Sequence, residues 1–314
     1  MYSQVVILLD GSELAEGVLP HVLEVIRGRK SRVHLLSVAP LTRGISPAVP
    51  DGRLTTISAQ DEGHYVEREL EGYLRTVASK LEPVAAEVRV NVRFGRPADE
   101  ILTFVGDVEA DLIAMSTHGR SGIGRWVFGS VANQVLRGTA CPVLLVRAGQ
   151  AQSCIPYQRI LVPLDGSELA EQIVPYVKAL VRSSHTRVFL VSVLTTGIAD
   201  RTVALLTSYP PGLQLATTAL HHAEVQLQSY LRSVAAVLRE VGAVVHTAVR
   251  QGSPADEILA YADEVEADLI SMTTHGFSGS SRWVYGNVAG KVLQGACNPV
   301  LLVRPSFEQG GNGV

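Results

Sequence analysis

Short apolar runs alternate along the chain with longer stretches in which apolar residues recur every three or four positions. In the first half the runs are VVILL, VHLLSV, VRVNVRF, LIAMS and PVLLVR. Between the second and third runs, helical spacing is shown by Val66, Leu70, Tyr73, Val77 and Leu81. Runs that are apolar almost throughout are typical of parallel strands buried on both faces and joined by right-handed crossovers. The pattern therefore predicts a doubly wound α/β fold with helices on both faces of a parallel sheet.

The whole pattern occurs twice. VVILLDGSELAE at 5–16 returns as RILVPLDGSELAE at 159–171, and THGRSGIGRWVFGSVANQVLRG at 117–138 returns as THGFSGSSRWVYGNVAGKVLQG at 274–295. Repeats of this length indicate two homologous structural units. We therefore predict two similar domains in a chain of 314 residues, a length that also suggests about two domains.

The predicted domains span 1–148 and 157–306, with a short linker near 148–158. A linker of this length leads us to expect that the domains pack together as an intrachain pseudo-dimer, with a homodimer of whole chains left open. The second copy is two residues longer, and the extra residues fall in stretches rich in Gly, Pro, Ser and Thr at 40–60 and 194–214. We predict long loops there.

Composition narrows the function classes. A formal net charge of −3 argues against nucleic acid as a partner. No charge-free apolar stretch is long enough to span a bilayer, and the first residues do not resemble a signal peptide, so we expect a cytoplasmic protein without a membrane partner. Cys141, Cys154 and Cys297 lack paired spacing, which favours a reducing compartment and no catalytic role.

A glycine-rich stretch follows the fourth apolar run and precedes a predicted helix that starts near Ser130. In a doubly wound sheet, ligands collect at the carboxyl ends of the strands, and a helix N-terminus there favours phosphate. The stretch is not a Walker A loop, because Arg125 and Trp126 replace the required Lys and Ser/Thr. Its glycine order also fails the dinucleotide G-x-G-x-x-G pattern. Glycines alone would more often mark only turns.

The recurring residues resemble the nucleotide-binding motif of the universal stress proteins, G-x2-G-x9-G-[S/T/N]. The resemblance extends to the DGSE turns, to GRPADEIL and GSPADEIL, and to the final strands, and so covers almost the whole chain twice. It implies five parallel strands in each domain and a bound adenine nucleotide, ATP or else AMP or ADP, with Mg²⁺ as an open possibility. The matching motif positions are Ser116, Gly119, Gly129 and Ser130 in the first copy and Thr273, Gly276, Gly286 and Asn287 in the second.

The resemblance also implies contacts outside the glycine motif. Acidic residues after the first strand of each copy, Asp10 and Asp165, would lie near the nucleotide. The main chain of Val38 and Val193 would contact adenine. The aspartates have an equally weighted structural interpretation as helix N-caps, a role that the neighbouring serines could share.

Other candidates are weaker. His118 and His275 flank the loops symmetrically, but no second base or nucleophile recurs beside them. His221 and His222 with Glu224 lack the spacing of helical metal ligands, so we expect neither a metal site nor catalytic residues.

We therefore expect a tandem universal stress protein that binds ATP or a related nucleotide and regulates a partner or itself in a stress response. The alternatives are a slow ATP hydrolase or nucleotidyl-transfer enzyme, or a scaffold that has lost nucleotide binding. The enzyme question is left open, with at most weak ATPase activity expected. We also expect tighter binding in the first half, because Ser116 and Arg120 become Thr273 and Phe277 in the second.

Overall fold

The computed structural model describes residues 1–40, 59–117, 129–147, 156–182, 185–195, 210–275 and 286–305. These residues form two compact α/β units of similar construction. The strands described are β1 Gln4–Leu8, β2 Arg32–Ala39, β3 Glu87–Phe94, β4 Leu112–Thr117, β5 Val143–Arg147, β6 Arg159–Pro163, β7 Arg187–Thr195, β8 Val244–Gly252, β9 Leu269–Thr273 and β10 Val300–Val303.

The helices connect these strands and follow the predicted alternation. Those described are α1 Glu13–Glu16, α2 Leu19–Ile26, α3 Ala59–Leu81, α4 Pro97–Asp107, α5 Ser130–Gly138, α6 Glu168–Glu171, α7 Val174–Leu180, α8 Pro210–Arg239, α9 Pro254–Glu264 and α10 Asn287–Gly295. The predicted apolar runs and the helical stretch ending at Leu81 are thus confirmed. Most of the two predicted long loops lies outside the described residues.

Each unit contains a five-stranded parallel sheet. In the first unit the strand order is β3-β2-β1-β4-β5. In the second unit the strands run in the corresponding order, β8-β7-β6-β9-β10. The chain thus moves outward from the first strand of a unit, then returns past it to form the other side.

This reversal places helices on both faces of each sheet. Right-handed crossovers that move in opposite directions along a sheet lie on opposite faces. In the first unit, α2 and α3 make the outward moves, whereas α4 and α5 make the return and pack against each other. The predicted doubly wound architecture is therefore confirmed.

Burial differs between the central and outer strands. Every residue of β4 is buried, and so are four of the five residues of β1; their polar residues stand only at the strand ends. The outer strands β3 and β8 are half-exposed along most of their length. The expectation that all strands are buried on both faces is therefore wrong for these two strands.

Local sequence signals explain where helices begin. Ser12 caps α1, since its hydroxyl accepts a hydrogen bond from the backbone N–H of Ala15 at 3.1 Å. Ser167 caps α6 in the same way. A proline occupies the first position of α4 and of α9, where its missing N–H costs nothing. The repeated sequences thus produce repeated helix starts.

Candidate functional site

Each unit has a cavity where its strand order reverses. In the first unit β1 lies between β2 and β4, so the chain leaves the carboxyl ends of β1 and β4 in opposite directions. A crevice at this point is where ligands bind in open α/β sheets. The position is fixed by topology and recurs in the second unit at the ends of β6 and β9.

The cavity of the first unit has a volume of about 280 Å³. Its walls come from the ends of β1, β2 and β4 and from the first turns of α1, α4 and α5, and are mainly apolar. The lining residues are Leu8, Leu9, Asp10, Ala15, Leu36, Val38, Pro97, Ile101, Met115, Ser116, Thr117, Gly129, Ser130, Val131 and Ala132. An apolar pocket with a few polar groups is typical of a small-molecule site.

The cavity of the second unit is larger, about 350 Å³, and lies in the corresponding place. Its lining residues are Pro163, Leu164, Asp165, Ala170, Val191, Val193, Thr195, Pro254, Ile258, Met272, Thr273, Thr274, His275, Gly286, Asn287, Val288 and Ala289. The structure therefore brings together five of the six sequence-predicted residues in each copy. The remaining predicted residue of each copy, Gly119 or Gly276, lies outside the described residues. The same holds for His118, Arg120, Arg125 and Arg282.

The aspartates at the cavity mouth brace a tight turn. Asp10 Oδ1 accepts hydrogen bonds from the backbone N–H of Ser12 at 3.0 Å and from its hydroxyl at 2.6 Å. Asp165 makes the same two contacts with Ser167 at the same distances. The intervening Gly11 has a φ of +84°, a conformation that favours glycine. The helix cap is thus the serine, and the aspartate holds that serine in place.

The main chain of Val38 faces the cavity beyond the end of β1. The carbonyl of Leu36 accepts a hydrogen bond from the N–H of Leu9 at 3.0 Å, so the peptide groups of Leu36 point toward β1. The direction of the peptide groups alternates from one residue to the next along a strand, so the groups of Val38, two residues after Leu36, also point toward β1. Because the paired register ends at Leu8 and Leu36, Val38 lies past the last paired position. Val193 has the same placement, since Leu164 N–H donates to the carbonyl of Val191 at 2.8 Å.

The two hydroxyl residues at the ends of β4 and β9 differ. The Ser116 side chain is buried, and its hydroxyl has no hydrogen-bond partner among the described residues. Thr273 is also buried, but its hydroxyl donates to the carbonyl of His275 at 2.8 Å. The next hydroxyl, that of Thr274, lies 3.0 Å from His275 Nδ1. The first cavity thus has an unsatisfied polar group at a position where the second cavity has a closed hydrogen-bond network.

The glycines before the two helices are not required by backbone conformation. Gly129 has φ −59° and ψ 154°, which any residue adopts. No heavy atom of the described residues, apart from its chain neighbours, lies within 4 Å of the place where a Cβ would project. Gly129 lines the cavity, so a small residue there leaves space beside the N-terminus of α5. This is the arrangement expected where a ligand approaches the backbone closely.

Ser130 and Asn287 are exposed and are the first residues of α5 and α10. Gly129 occupies the N-cap position of α5, and no side-chain capping bond is present. The backbone N–H groups of the first turn are therefore not used by a capping side chain. A helix of nine residues with such an N-terminus favours an anion.

Sequence reasoning missed part of each cavity wall. The first turn of α4 supplies Pro97 and Ile101, and α9 supplies Pro254 and Ile258 at the same positions. The signal was present in the repeated PADEIL segment, which we had noted only as a similarity. These side chains cover the cavity because the return crossover brings α4 and α9 across the strand ends.

Two tyrosines near the aspartate turns were also missed. Burial raises the pKa of Tyr73 above its ordinary value, and the nearby carboxylates of Glu16 and Asp10 raise it further. The pKa of Tyr230 is raised by burial and then by Glu171 and Asp165. The spacing of Tyr73 had suggested only an apolar helix face. The long helices α3 and α8 instead bring a tyrosine hydroxyl close to the acidic turn in each unit.

The described residues show neither a cluster suited to a metal ion nor a helix suited to a bilayer. In those residues, His, Cys, Asp and Glu side chains form no group of three that could hold a metal ion. Over the same part of the chain, every helix is too short or too polar to cross a bilayer.

Comparisons with known proteins agree with the repeated fold. The sequence profile of the universal stress protein family matches residues 1–147 and again residues 156–304. A universal stress protein of Methanocaldococcus jannaschii is 28% identical over 148 residues, which are 47% of this chain and 83% of that protein. A universal stress protein structure from Archaeoglobus fulgidus aligns over 97% of this chain and 99% of its own, with 23% identity and a TM-score of 0.64. A putative universal stress protein structure from Pseudomonas aeruginosa aligns over 97% and 94%, with 14% identity and a TM-score of 0.61.

The fold and the repeated cavities define a tandem pair of doubly wound α/β domains with a small-molecule-sized crevice in each. Both domains match the same family profile, and together the matches cover most of the chain. The chain belongs to the universal stress protein family.

Proposed function

We propose that this protein binds ATP or a related adenine nucleotide in its cavities and acts as a cytoplasmic regulatory module in a stress response. The observation that carries the proposal is the crevice at the strand-order reversal, which is lined in both repeats by the described motif residues. Membership in the family supports the stress-response role.

The residues present fit an adenine nucleotide. The Val38 main chain and the apolar wall around Ile101 form a slot suited to a flat, weakly polar base that hydrogen-bonds at its edge. The phosphates would lie at the N-terminus of α5, where among the described residues nothing fills the space beside Gly129 and no group bonds to the Ser116 hydroxyl. Asp10, exposed at the cavity mouth, would accept hydrogen bonds from the ribose or neutralise a Mg²⁺ ion that accompanies the phosphates. When bound, ATP would supply a γ-phosphate, and the regulatory state of the protein would depend on whether that γ-phosphate is present.

Slow ATP hydrolysis or nucleotidyl transfer is the second candidate. Such chemistry needs a positioned base or a group that orients water near the γ-phosphate. Among the described cavity residues, the titratable side chains are Asp10 in the first unit and Asp165 and His275 in the second. Since Asp10 and Asp165 already brace their turns, we favour a binding module over an enzyme. A scaffold without bound nucleotide is the third candidate.

Mass spectrometry of small molecules released from freshly purified protein tests the three candidates together. We expect ATP, ADP or AMP to be released, and little conversion of added ATP to ADP or AMP. Rapid turnover would favour the enzyme, whereas no release and no binding of added nucleotide would favour the scaffold.

A double variant, Ser130→Glu with Asn287→Glu, tests the position of the site by calorimetry. Both positions are exposed, and a carboxylate in the first turn of a helix favours the helix while it repels phosphate. We expect ATP binding to weaken by about tenfold or more. The control is Ser130→Gln with Asn287→Gln, which adds similar bulk without charge. Equal affinities in the Glu and Gln variants would contradict this placement of the phosphates.

The arrangement of the two domains is also a proposal. We propose that domains 1–148 and 157–306 form an intrachain pseudo-dimer, since equivalent apolar edge strands can satisfy each other. The last strands of the two domains, at Pro142–Arg147 and Pro299–Pro305, would then lie about a pseudo-twofold axis. A crystal structure with these strands apart and facing solvent would contradict the arrangement.

A further inference from the structure

We infer that the two cavities differ in what they recognise: the first selects nucleotides through their phosphates, whereas the second binds the nucleoside part and gains little from phosphates. The inference rests on the proposed adenine-nucleotide function and concerns the ligand class of each site. It is carried by differences in hydrogen bonding between equivalent residues of the two repeats.

The first cavity has an unused donor at its phosphate end. Ser116 is buried and lines the cavity, yet its hydroxyl lacks a partner among the described residues. Buried polar groups are nearly always hydrogen-bonded, so a bound anion is a natural partner for this one. As far as the described residues go, the space beside Gly129 is open to a ligand at the start of α5.

The second cavity uses the equivalent groups internally. The backbone N–H of Gly286 donates to the carbonyl of Thr274 at 2.8 Å, which ties the start of α10 to the end of β9. A Cβ at Gly286 would lie 3.3 Å from that carbonyl oxygen, whereas a Cβ at Gly129 would have no described residue other than its chain neighbours within 4 Å. The hydroxyl of Thr273 donates to the carbonyl of His275, so it is not available to phosphate without the loss of that bond.

Electrostatics at the two sites differ in the same direction. The carbonyl oxygen of Thr274 at the start of α10 presents negative charge at a point where, in the part of the first unit that the structure describes, no equivalent atom lies within 4 Å. In the sequence, Phe277 stands at the position that corresponds to Arg120, so the second loop carries one cation fewer. A polyphosphate therefore finds fewer free donors and less positive charge in the second unit.

The part of the second cavity that would hold the base and the ribose keeps the same lining as in the first. Val193, Asp165, Pro254 and Ile258 line that cavity just as their counterparts line the first. The second cavity is also the larger, about 350 Å³ against about 280 Å³, and Thr195 adds a polar group to its wall. The structure thus retains the features suited to a nucleoside while the donors suited to phosphates are engaged.

The test isolates each site in the full-length chain. Ser130→Tyr fills the first cavity from an exposed position and leaves the second to be measured, and Asn287→Tyr does the reverse. Circular dichroism and melting curves check that both variants remain folded. Affinities for ATP with Mg²⁺, AMP and adenosine are then measured by calorimetry at matched ionic strength.

In Asn287→Tyr, where only the first cavity is open, we expect adenosine to bind at least about tenfold more weakly than ATP, the equivalent of one charge-assisted hydrogen bond. In Ser130→Tyr we expect ATP and adenosine to bind within about threefold of each other. The same ratio in both variants, or a larger ratio in Ser130→Tyr, would overturn the inference while leaving adenine-nucleotide binding intact. If no adenine ligand binds the wild-type chain, the proposed function fails and the inference fails with it.

A second pair of variants keeps the test decisive if a tyrosine variant does not fold. Ser130→Glu and Asn287→Glu are made singly, each with its Gln control, and titrated with ATP and adenosine. We expect ATP binding to be weakened by Ser130→Glu, and Asn287→Glu to leave both ligands within about threefold of its control. A loss of ATP binding in Asn287→Glu equal to that in Ser130→Glu would refute the inference.

Discussion

Replacing Ser116 by Ala should stabilise the ligand-free protein and weaken nucleotide binding. The buried hydroxyl has no partner among the described residues, and such a group costs about 1–3 kcal/mol of folding free energy. The space left by one oxygen atom costs about 0.4 kcal/mol in return, at about 24 cal/mol per Å³ of cavity. The net expectation is a gain of about 1 kcal/mol in the free energy of unfolding. If phosphate is the missing partner, ATP affinity should fall by about 10- to 100-fold, since a hydrogen bond to a charged group contributes about 1.5–3 kcal/mol.

Thr273→Val is the matched variant in the second repeat and should have the opposite effect on stability. It removes the hydroxyl that donates to the carbonyl of His275 at 2.8 Å and leaves that acceptor without this bond. We expect a loss of about 1–2 kcal/mol, because a buried acceptor loses its donor while the side-chain volume is kept. The two variants should therefore differ by about 2–3 kcal/mol although both remove one hydroxyl from equivalent positions.

Urea unfolding followed by circular dichroism measures the change in each variant, and hydrogen exchange on β4 and β9 assigns it to one repeat. A shift of 1 kcal/mol corresponds to about 2–4 °C in Tm for a domain of this size. Calorimetry with ATP then supplies the binding change. Destabilisation of 1 kcal/mol or more by Ser116→Ala, or equal effects of the two variants, would refute the account of the unpartnered hydroxyl.

Three further predictions follow from other parts of the structure. Removal of either helix cap, by Ser12→Ala or Ser167→Ala, should cost about 1 kcal/mol, seen as a lower urea midpoint; unchanged midpoints would exclude a capping role. Burial lowers the pKa of His34, so the stability that its neutral form contributes is present above its ordinary pKa and is lost as the pH falls. Replacing His34 by Phe, which is the residue at the equivalent position of the second repeat, should therefore make the urea midpoint fall less steeply below about pH 6.5. ATP turnover should be far slower than about 10 s⁻¹, and an ordinary rate abolished by Asp10→Ala would contradict the binding-module proposal.

Much of the architecture was predictable from the order of residues. The apolar runs predicted the strands of both units, and the DGSE turn predicted the first helices, because strand burial and helix capping depend on short-range patterns. The outer strands were less predictable. Which strand lies at a sheet edge follows only from the strand order, although the alternation of apolar and polar residues in VRVNVRF already indicated one exposed face for β3.

The candidate site was predictable as a set of positions and not as a set of contacts. Placement of Asp10, Val38 and Gly129 around one cavity follows from the rule that ligands collect where strand order reverses. The contribution of Ile101 could not be anticipated, since it depends on where the return crossover crosses the strand ends. The role of Gly129 also needed the structure, because only its φ and ψ show that glycine is there for space.

The sequence alone established that this protein is a repeated α/β unit with a glycine motif after the fourth strand of each copy, because hydrophobic period, turn residues and repeats are properties of neighbouring positions. Only the tertiary structure decided how the two copies differ. Ser116 and Thr273 both carry a hydroxyl, yet one lacks a described partner and the other bonds to a carbonyl two residues away. A hydrogen bond depends on the three-dimensional position of both partners, and that position is set by tertiary packing at the strand ends.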